Sequence, residues 1–550
     1  MVYFKYLSLF LSLCTTFVHA QKENYNWVFG EYAGLTWNTV QSFTGTDFFK
    51  TAGGNVILQG IPTAFKSKIR TSEGCFNVSD YNGELLFYSD GIQVWEKRPN
   101  GDEIIANGTG LTGNSSSVQS GIILPYPGTP SSYIAVTLNT KEGVNTPITT
   151  EETQKFLSWS PIVKNSVTNR FEIPEGKKNI TLNPPKNQFY KEIVNAVRHA
   201  NKKDFWIVAP SRKIDNTTNR NFYQLSVYKV DENGVTANPI LQRDNLNYIQ
   251  TDIVTHFTSY GQIKFNKSGT RLALISHNRN IGNTIYNNLL IADFNSETGK
   301  ITNLHHRSIG VSNEQTYSIE FDPSEQYVYI TSLTNTPAEV GNRKYTLYVF
   351  KVSELIDPTI ATADLHDYGI KEGIVVNNST VHFGAISTGV DNRMYITEPG
   401  TQNLFVIPNP ENPASKKIYR LENILPQGST ARLGLPSYAS FYFNVNMDKV
   451  NICKDTPTTF TINITGGEGG DDYSRTEIDF GDNSSIETLE NNGLNKSYTL
   501  THQYPNDGIY TIRMTSYDLQ NNVIEASSST VEATVSTCQI KVNPHIRINL

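Results

Sequence analysis

A chain of 550 residues is too long for one ordinary domain and long enough for two or three with a large core. Its net charge of -6, from 46 basic and 52 acidic residues, leaves no basic surplus to neutralise phosphates, so nucleic acid is excluded as the expected partner. With 29 Tyr, 26 Phe, 38 Gly and 24 Pro and little helical periodicity, the composition favours an all-β chain with many turns.

At the N-terminus Lys5 is followed by an apolar run from Tyr6 to Val18 and then by Val18-His19-Ala20, which offers β-branched and small residues before Gln21. This predicts a secretory signal peptide over 1–20, because the run is too short to remain as a spanning anchor. A lipoprotein reading through Cys14 is disfavoured by Leu13, which stands where a small residue is wanted. No later segment approaches the ~20 apolar residues of a membrane helix, so the expectation is an exported chain, secreted or at the outer cell surface, with no transmembrane segment. Cleavage leaves Cys75, Cys453 and Cys538, and Cys75 reads as a buried, inert thiol on a strand.

The stretch Glu73 to Leu124 is the most legible. Phe76 and Val78 alternate with polar neighbours, Asp80-Tyr81-Asn82-Gly83 supplies a turn, and Leu85, Phe87 and Tyr88 resume a half-buried strand. The same pattern recurs from Ser120, Ala196, Gly261, Ser318 and Ala385, at irregular spacings that fit four-stranded units better than a solenoid of fixed rise. These six hairpins read as the inner halves of propeller blades. A seventh is expected from the chain ends, with Val28-Phe29 pairing in the same blade as Tyr438 to Phe443, since a propeller closes by joining its first and last strands. The segment Thr140 to Leu182 reads as the outer half of a blade plus a long loop.

After Phe443 the texture changes to about seven short strands in roughly 90 residues, the rhythm of an immunoglobulin-like sandwich. The predicted organisation is a signal peptide over 1–20, a WD40/YVTN-like seven-bladed β-propeller over 21–446, a sandwich over 447–540 and a stub or linker over 541–550.

Gly108-Thr109-Gly110-Leu111-Thr112-Gly113 satisfies G-x-G-x-x-G, but NSSSVQS follows where a dinucleotide site needs a helix. The glycines therefore read as a tight inter-blade loop, and no cofactor is expected. Signatures of serine hydrolases, zinc peptidases, P-loops, EF-hands and sialidases are absent. His256, His277, His305, His306 and His382 read as scattered loop or core residues, with a shared channel metal as the alternative; no metal site is assigned. Glu73, Asp90, Glu320 and Asp391 recur at hairpin ends, where they are expected to bond turn backbone. Sequence alone leaves a catalytic pair among such acids open, since glycosidase carboxylates need only converge in space. No residue is assigned a catalytic role.

The order NWVFGEYAGLTWNT, SEGCFNVSDYNGELLFYSDGIQVWEK, NGTGLTGNSSSVQSGIILPYPG and GLPSYASFYF resembles the N-terminal propeller region of gliding-motility-associated, type IX secretion cargo proteins of Bacteroidetes. The second domain, with Ile478-Asp479-Phe480-Gly481-Asp482-Asn483, His502-Gln503-Tyr504 and Gly508-Ile509-Tyr510-Thr511-Ile512, is similar to a PKD domain. Glu73, Gly74, Asp90, Gly91, Gly108, Gly110, Gly113 and Asn114 carry the first likeness and Asp479, Gly481 and Asp482 the second, all in structural roles. Ile478 stands for the usual Trp and Asn483 for the usual Gly. Such proteins continue into further modules and a sorting domain, whereas this sequence ends at CQIKVNPHIRINL, as a truncated member or one retained differently. The resemblance implies export through a dedicated secretion machinery and display at the surface.

These readings lead to a non-enzymatic binding or adhesion protein, its propeller loops recognising extracellular polysaccharide or a surface protein. The alternatives are a hydrolase or lyase acting on such a polymer, with the PKD module as accessory, and a structural part of a surface filament. Cys453 and Cys538 bracket the sandwich and are a possible disulfide, with a free Cys538 in a linker as the other reading.

Overall fold

A computed structural model describes residues 24–47, 54–80, 83–129, 131–138, 157–182, 188–190, 192–201, 203–215, 220–241, 261–279, 285–309, 314–334, 346–369, 383–439, 444–449, 452–465, 473–491, 497–517, 521, 523 and 529–537. The protein is all-β, and α-helix among these residues is confined to the single turn Val352–Leu355. Its contacts divide it into one unit built on Lys22–Phe443 and another built on Asn444–Ile464 and Asp472–Leu550.

The six expected hairpins form, and local chemistry explains why. In the hairpin of Gly261–Phe265 with Arg271–Arg279, Ile263 pairs with Leu274 and Phe265 with Leu272, all buried. Each such side chain contributes about 1.5–3 kcal/mol when removed from water. Between the strands a recurring Asp or Asn folds its carboxyl or amide oxygen back onto the backbone. Glu84 N donates to Asp80 Oδ1 (2.9 Å), Asp204 N to Asn201 Oδ1 (2.9 Å), Arg271 N to Asn266 Oδ1 (2.8 Å) and Tyr327 N to Asp322 Oδ1 (2.5 Å). These short polar side chains compete well for backbone donors and so fix where each strand reverses.

The first strands of the hairpins lie side by side in a propeller-like arrangement. Asn26–Phe29 adjoins Phe76–Ser79, which adjoins Gly121–Pro125; then follow Asn195–Arg198, Gly261–Phe265, Glu314–Phe321 and Ile386–Thr388, each against the one before. These neighbours belong to different backbone ladders, and side-chain amides and hydroxyls join them instead. Asn77 accepts from Val28 N (3.1 Å) and donates to Asn26 O (2.7 Å). Asn195 donates to Ile263 O (2.9 Å), Gln262 accepts from Ile319 N (2.9 Å), and Ser318 accepts from Ile386 N (3.0 Å). Buried backbone groups need partners, and these side chains supply them.

Closure differs from the expectation. Val28 and Phe29 pair with Gly34 and Ala33 in a hairpin of their own, turned at Gly30 (φ 60°). The partner strand, Glu31–Asp47, then runs far enough for Gly45, Thr46 and Asp47 to pair with Leu421, Arg420 and Tyr419, the last strand of the sheet that begins at Ile386–Thr388. Residues 430–438 form a strap rather than a strand: Glu31 N donates to Thr430 O (2.8 Å), Leu433 N to Ser72 O (2.9 Å), and Ser437 N to Cys75 O (3.1 Å). Tyr438 contributes its hydroxyl, donated to Asn26 O (2.5 Å), not a ladder position; residues 440–443 lie outside the described residues. In Thr140 to Leu182, Leu157–Lys164 pairs with Tyr133–Leu138 as expected, and Glu172 also pairs in parallel with Ala106.

The second unit has two sheets. Asn444–Lys449, Thr458–Thr465 and Ser497–His502 form one; Glu487–Glu490, Arg475–Asp479, Gly508–Tyr517 and Ser529–Val535 form the other. Phe460, Ile478, Phe480, Ile512 and Met514 are buried in this unit. Asp479 Oδ1 accepts from Gly481 N (2.8 Å), and Asp482 Oδ2 lies 2.8 Å from His502 Nε2, whose ring stacks on Phe480 at 4.0 Å. Asn483 has φ 67°, a left-handed conformation that Asn tolerates better than most residues, so it serves in place of glycine. Cys453 is disulfide-bonded and its backbone bridges in parallel to Ser536; Cys538 lies outside the described residues.

Candidate active site at the start of the inner strands

Two buried polar side chains from distant parts of the chain, Glu73 and Tyr317, meet near the start of the inner strands, and a third, Glu192, is buried before a neighbouring one. Glu73 and Glu192 each stand just before an inner strand, Phe76–Ser79 and Asn195–Arg198. Tyr317 lies within Glu314–Phe321 where the pairing slips between Thr316 and Ser318, so it occupies a β-bulge. A bulge re-aims a side chain out of the pleat, and Tyr317 reaches Glu73, donating its hydroxyl to Oε1 at 3.3 Å. Burial, the Glu73 and Glu192 charges and the hydrogen bond to Glu73 all hold the Tyr317 phenol well above its ordinary value.

The surrounding backbone is fixed from both sides. Glu73 N donates to Ser115 O (3.1 Å), and Thr71 Oγ1 bonds the Gly74 and Ser115 carbonyls, both at 2.8 Å. Gln119 N donates to Glu192 O (3.1 Å) while its side chain accepts from Ile263 N (3.1 Å) and donates to Ile263 O (3.2 Å), tying the Glu192 segment to the next inner strand, Gly261–Phe265. Cys75 is fully buried beside this cluster, and burial, with the Asp90 charge added, pushes its thiol up, in line with an inert sulfur. Tyr438, also pushed up by burial, bonds Asn77 Oδ1 at 3.0 Å.

The other residues singled out in the sequence are structural supports. Asp90 accepts from Ile92 N and Gln93 N, both 2.8 Å, and caps the turn. Gly91 (φ 88°) and Gly113 touch backbone to backbone: Gly113 N donates to Gly91 O at 2.8 Å, and a Cβ on Gly113 would fall 2.4 Å from that oxygen. Gly108 lies in the strand Glu103–Thr109, Gly110 (φ 73°) begins the loop, and Asn114 Oδ1 accepts from Ser116 N (2.9 Å). Residues 111–120 form turns and bends, so the glycine-rich match does not open a helix. Asp391 behaves as expected of a turn acid, accepting from Arg393 N (3.3 Å) and from the Tyr395 hydroxyl (2.6 Å). Glu320 is only partly turn-like. It pairs with Lys264 Nζ at 3.0 Å and accepts from Ser387 Oγ at 3.2 Å, a buried ion pair spanning three inner strands. His305 and His306 lie on Lys300–Ile309, His306 Nε2 is 2.9 Å from Asn288 Oδ1, and no metal-holding group of His, Cys, Asp or Glu occurs among the described residues. His256 and His382 lie outside them.

Glu192 and Tyr317 were missed by the sequence reading. The available signal was the acid in Glu192-Ile193-Val194, a charge set directly against an apolar strand start, as in Glu73-Gly74-Cys75-Phe76.

No protein-family model and no curated protein matches the chain. Solved structures with a similar fold include the hydrazine synthase of Kuenenia stuttgartiensis, 10% identical over 72% of this chain and 98% of its own, with a TM-score of 0.35. A puromycin-hydrolyzing peptidase of Mycobacterium tuberculosis is 12% identical over 73% of this chain and 50% of its own, at 0.31. A GH32 β-fructofuranosidase of Bombyx mori is 10% identical over 76% of this chain and 86% of its own, at 0.28. At this distance the likenesses carry no substrate or residue over to this chain. The expectation of a non-enzymatic protein is not upheld: a peptidase and a glycoside hydrolase are among these neighbours. No helix among the described residues is long and apolar enough to cross a membrane.

Proposed function

We propose that the protein is an exported hydrolase that cleaves an extracellular polysaccharide, built as a closed seven-bladed propeller with a PKD-like module. The observation that carries this reading is the hydrogen bond that Tyr317, at a β-bulge, donates to the buried Glu73, with a second buried acid, Glu192, just before the inner strand Asn195–Arg198. Glycosidic bonds are cleaved by two carboxyl groups, one protonating the leaving oxygen and the other acting as nucleophile or base. The hydrogen bond that Tyr317 donates suits an ionised Glu73 in the second role, which leaves Glu192 as the acid. Seven inner strands and the long hairpin joining the first sheet to the last support the blade number. The stacked Phe480, His502 and Asp482 group supports the PKD-like module. The signal-peptide pattern and the likeness to type IX cargo proteins support export and surface display.

The test is release of reducing ends from a panel of polysaccharides by the mature chain, beside its Glu73→Gln and Glu192→Gln variants. The expected result is hydrolysis of at least one polymer, lowered about 10²–10⁴-fold in either variant with folding retained. Hydrolysis of none, or variants as active as the parent, overturns the proposal.

A further inference from the structure

The strap 430–438 touches the candidate site directly. It is stitched to three neighbouring segments: Thr430 exchanges backbone hydrogen bonds with Glu31 (2.8 and 2.9 Å), Ala385 N donates to Leu433 O (2.6 Å), and Leu433 N and Ser437 N donate to Ser72 O and Cys75 O. Those last two bonds fall on either side of Glu73. Between them sits Gly434, where a Cβ would lie 1.7 Å from the Glu73 carbonyl oxygen and 2.4 Å from its carbonyl carbon. Real Cβ atoms essentially never approach within 3.0 Å of another heavy atom, so any residue but glycine must push the strap and Glu73 apart. Ser115 O already holds Glu73 N from the other side, at 3.1 Å. Glu73 is therefore clamped between a turn and the strap, and its reach to Tyr317 is set by both.

We infer that the strap 430–438 is a positioning element for the Glu73 site, with Gly434 the residue that sets the separation between strap and Glu73. This rests on the hydrolase reading for its catalytic consequence, but the clamp itself can be tested without a substrate. Cys75, fully buried and bonded to the strap through its carbonyl, reports whether the clamp holds.

The experiment compares the mature chain with Gly434→Ala and with Gly508→Ala, a control whose added Cβ meets nothing closer than 3.5 Å. Iodoacetamide labelling of native protein is followed at Cys75 by peptide mapping, circular dichroism reports folding, and kcat and KM are measured on whichever polysaccharide the parent hydrolyses. Gly434→Ala is expected to label at Cys75 at least tenfold faster and to lose at least tenfold in kcat with KM within twofold. Gly508→Ala is expected to match the parent in all respects. A folded Gly434→Ala protein with parental labelling and parental kcat overturns the inference. Should Gly434→Ala not fold, Tyr438→Phe decides. It removes only the hydroxyl that holds the strap to Asn26 O and Asn77 Oδ1, and unchanged Cys75 labelling in it overturns the clamp. A parent that hydrolyses nothing refutes the proposed function alone, and the labelling result still decides the clamp.

Discussion

Two buried glutamates, Glu320 on an inner strand and Glu73 just before another, meet different partners. Glu320 meets a cation, Lys264, whose side chain is 9% exposed, and accepts from the Ser387 hydroxyl and from Phe321 N at 3.2 Å. Glu73 meets a phenol, Tyr317, which donates its hydroxyl to Oε1 at 3.3 Å. A carboxylate neutralised by an ammonium and by backbone and hydroxyl donors is a fastening between strands. A carboxylate that accepts from a phenol faces a group that can itself give up a proton, which is the property acid–base chemistry needs. Burial alone does not separate the two cases; the identity of the partner does.

The comparison is sharpened first against the second unit, which is fastened covalently. Pairing of Cys453 with Cys538 would close a loop of roughly 85 residues, and its reduction is expected to cost about 4–5 kcal/mol in the chain-entropy model. Urea unfolding with and without reductant measures the loss, and non-reducing peptide mapping identifies the partner. A Cys453 peptide linked elsewhere would exclude this pairing.

Lys264→Met should cost about 3–5 kcal/mol, because it strands Glu320 without its counter-charge among buried neighbours. Adding Glu320→Leu should restore most of that loss in the same unfolding assay. A single variant as stable as the parent would break the contrast between the two acids.

A smaller effect is expected from His306. Burial, with the Arg307 charge added, pushes its imidazole down to about 4. The folded form then binds fewer protons than the unfolded form between about pH 4 and 6.5, so unfolding takes up a proton there. Stability is accordingly expected to fall by about 2 kcal/mol as pH drops through that window, allowing for partial solvation. His306→Gln should flatten the curve, which denaturant midpoints at a series of pH values would show.

Smallest is Tyr317→Phe, expected to cost about 1 kcal/mol through one lost hydrogen bond. A loss several times larger would mean that Tyr317 fastens strands as Lys264 does.

Much of this fold was legible and little of the site. Alternating apolar residues around Asp80, Asn266, Asp322 and Asp391 announce hairpins because both the period and the turn chemistry are local. The bulge at Tyr317 depends on which residue of the partner strand it faces, and register is not written in one strand alone. Glu73 was visible as a recurring acid, yet its partner stands 244 residues away. Glu320 was read as a turn acid because Lys264, on another hairpin, could not be placed beside it. The strap has no period at all: Gly434 lies against Glu73 and the Tyr438 hydroxyl on Asn26, contacts that no strand pattern announces.

The most direct test of the central claim is the specific rate of polysaccharide hydrolysis by Glu73→Gln set beside Glu320→Gln, each normalised to its folded fraction. Glu73→Gln should remain folded and lose about 10²–10⁴-fold in rate, while Glu320→Gln should lose stability and keep the parental rate per folded molecule. Equal rates for Glu73→Gln and the parent, or a rate loss confined to Glu320→Gln, would contradict the account.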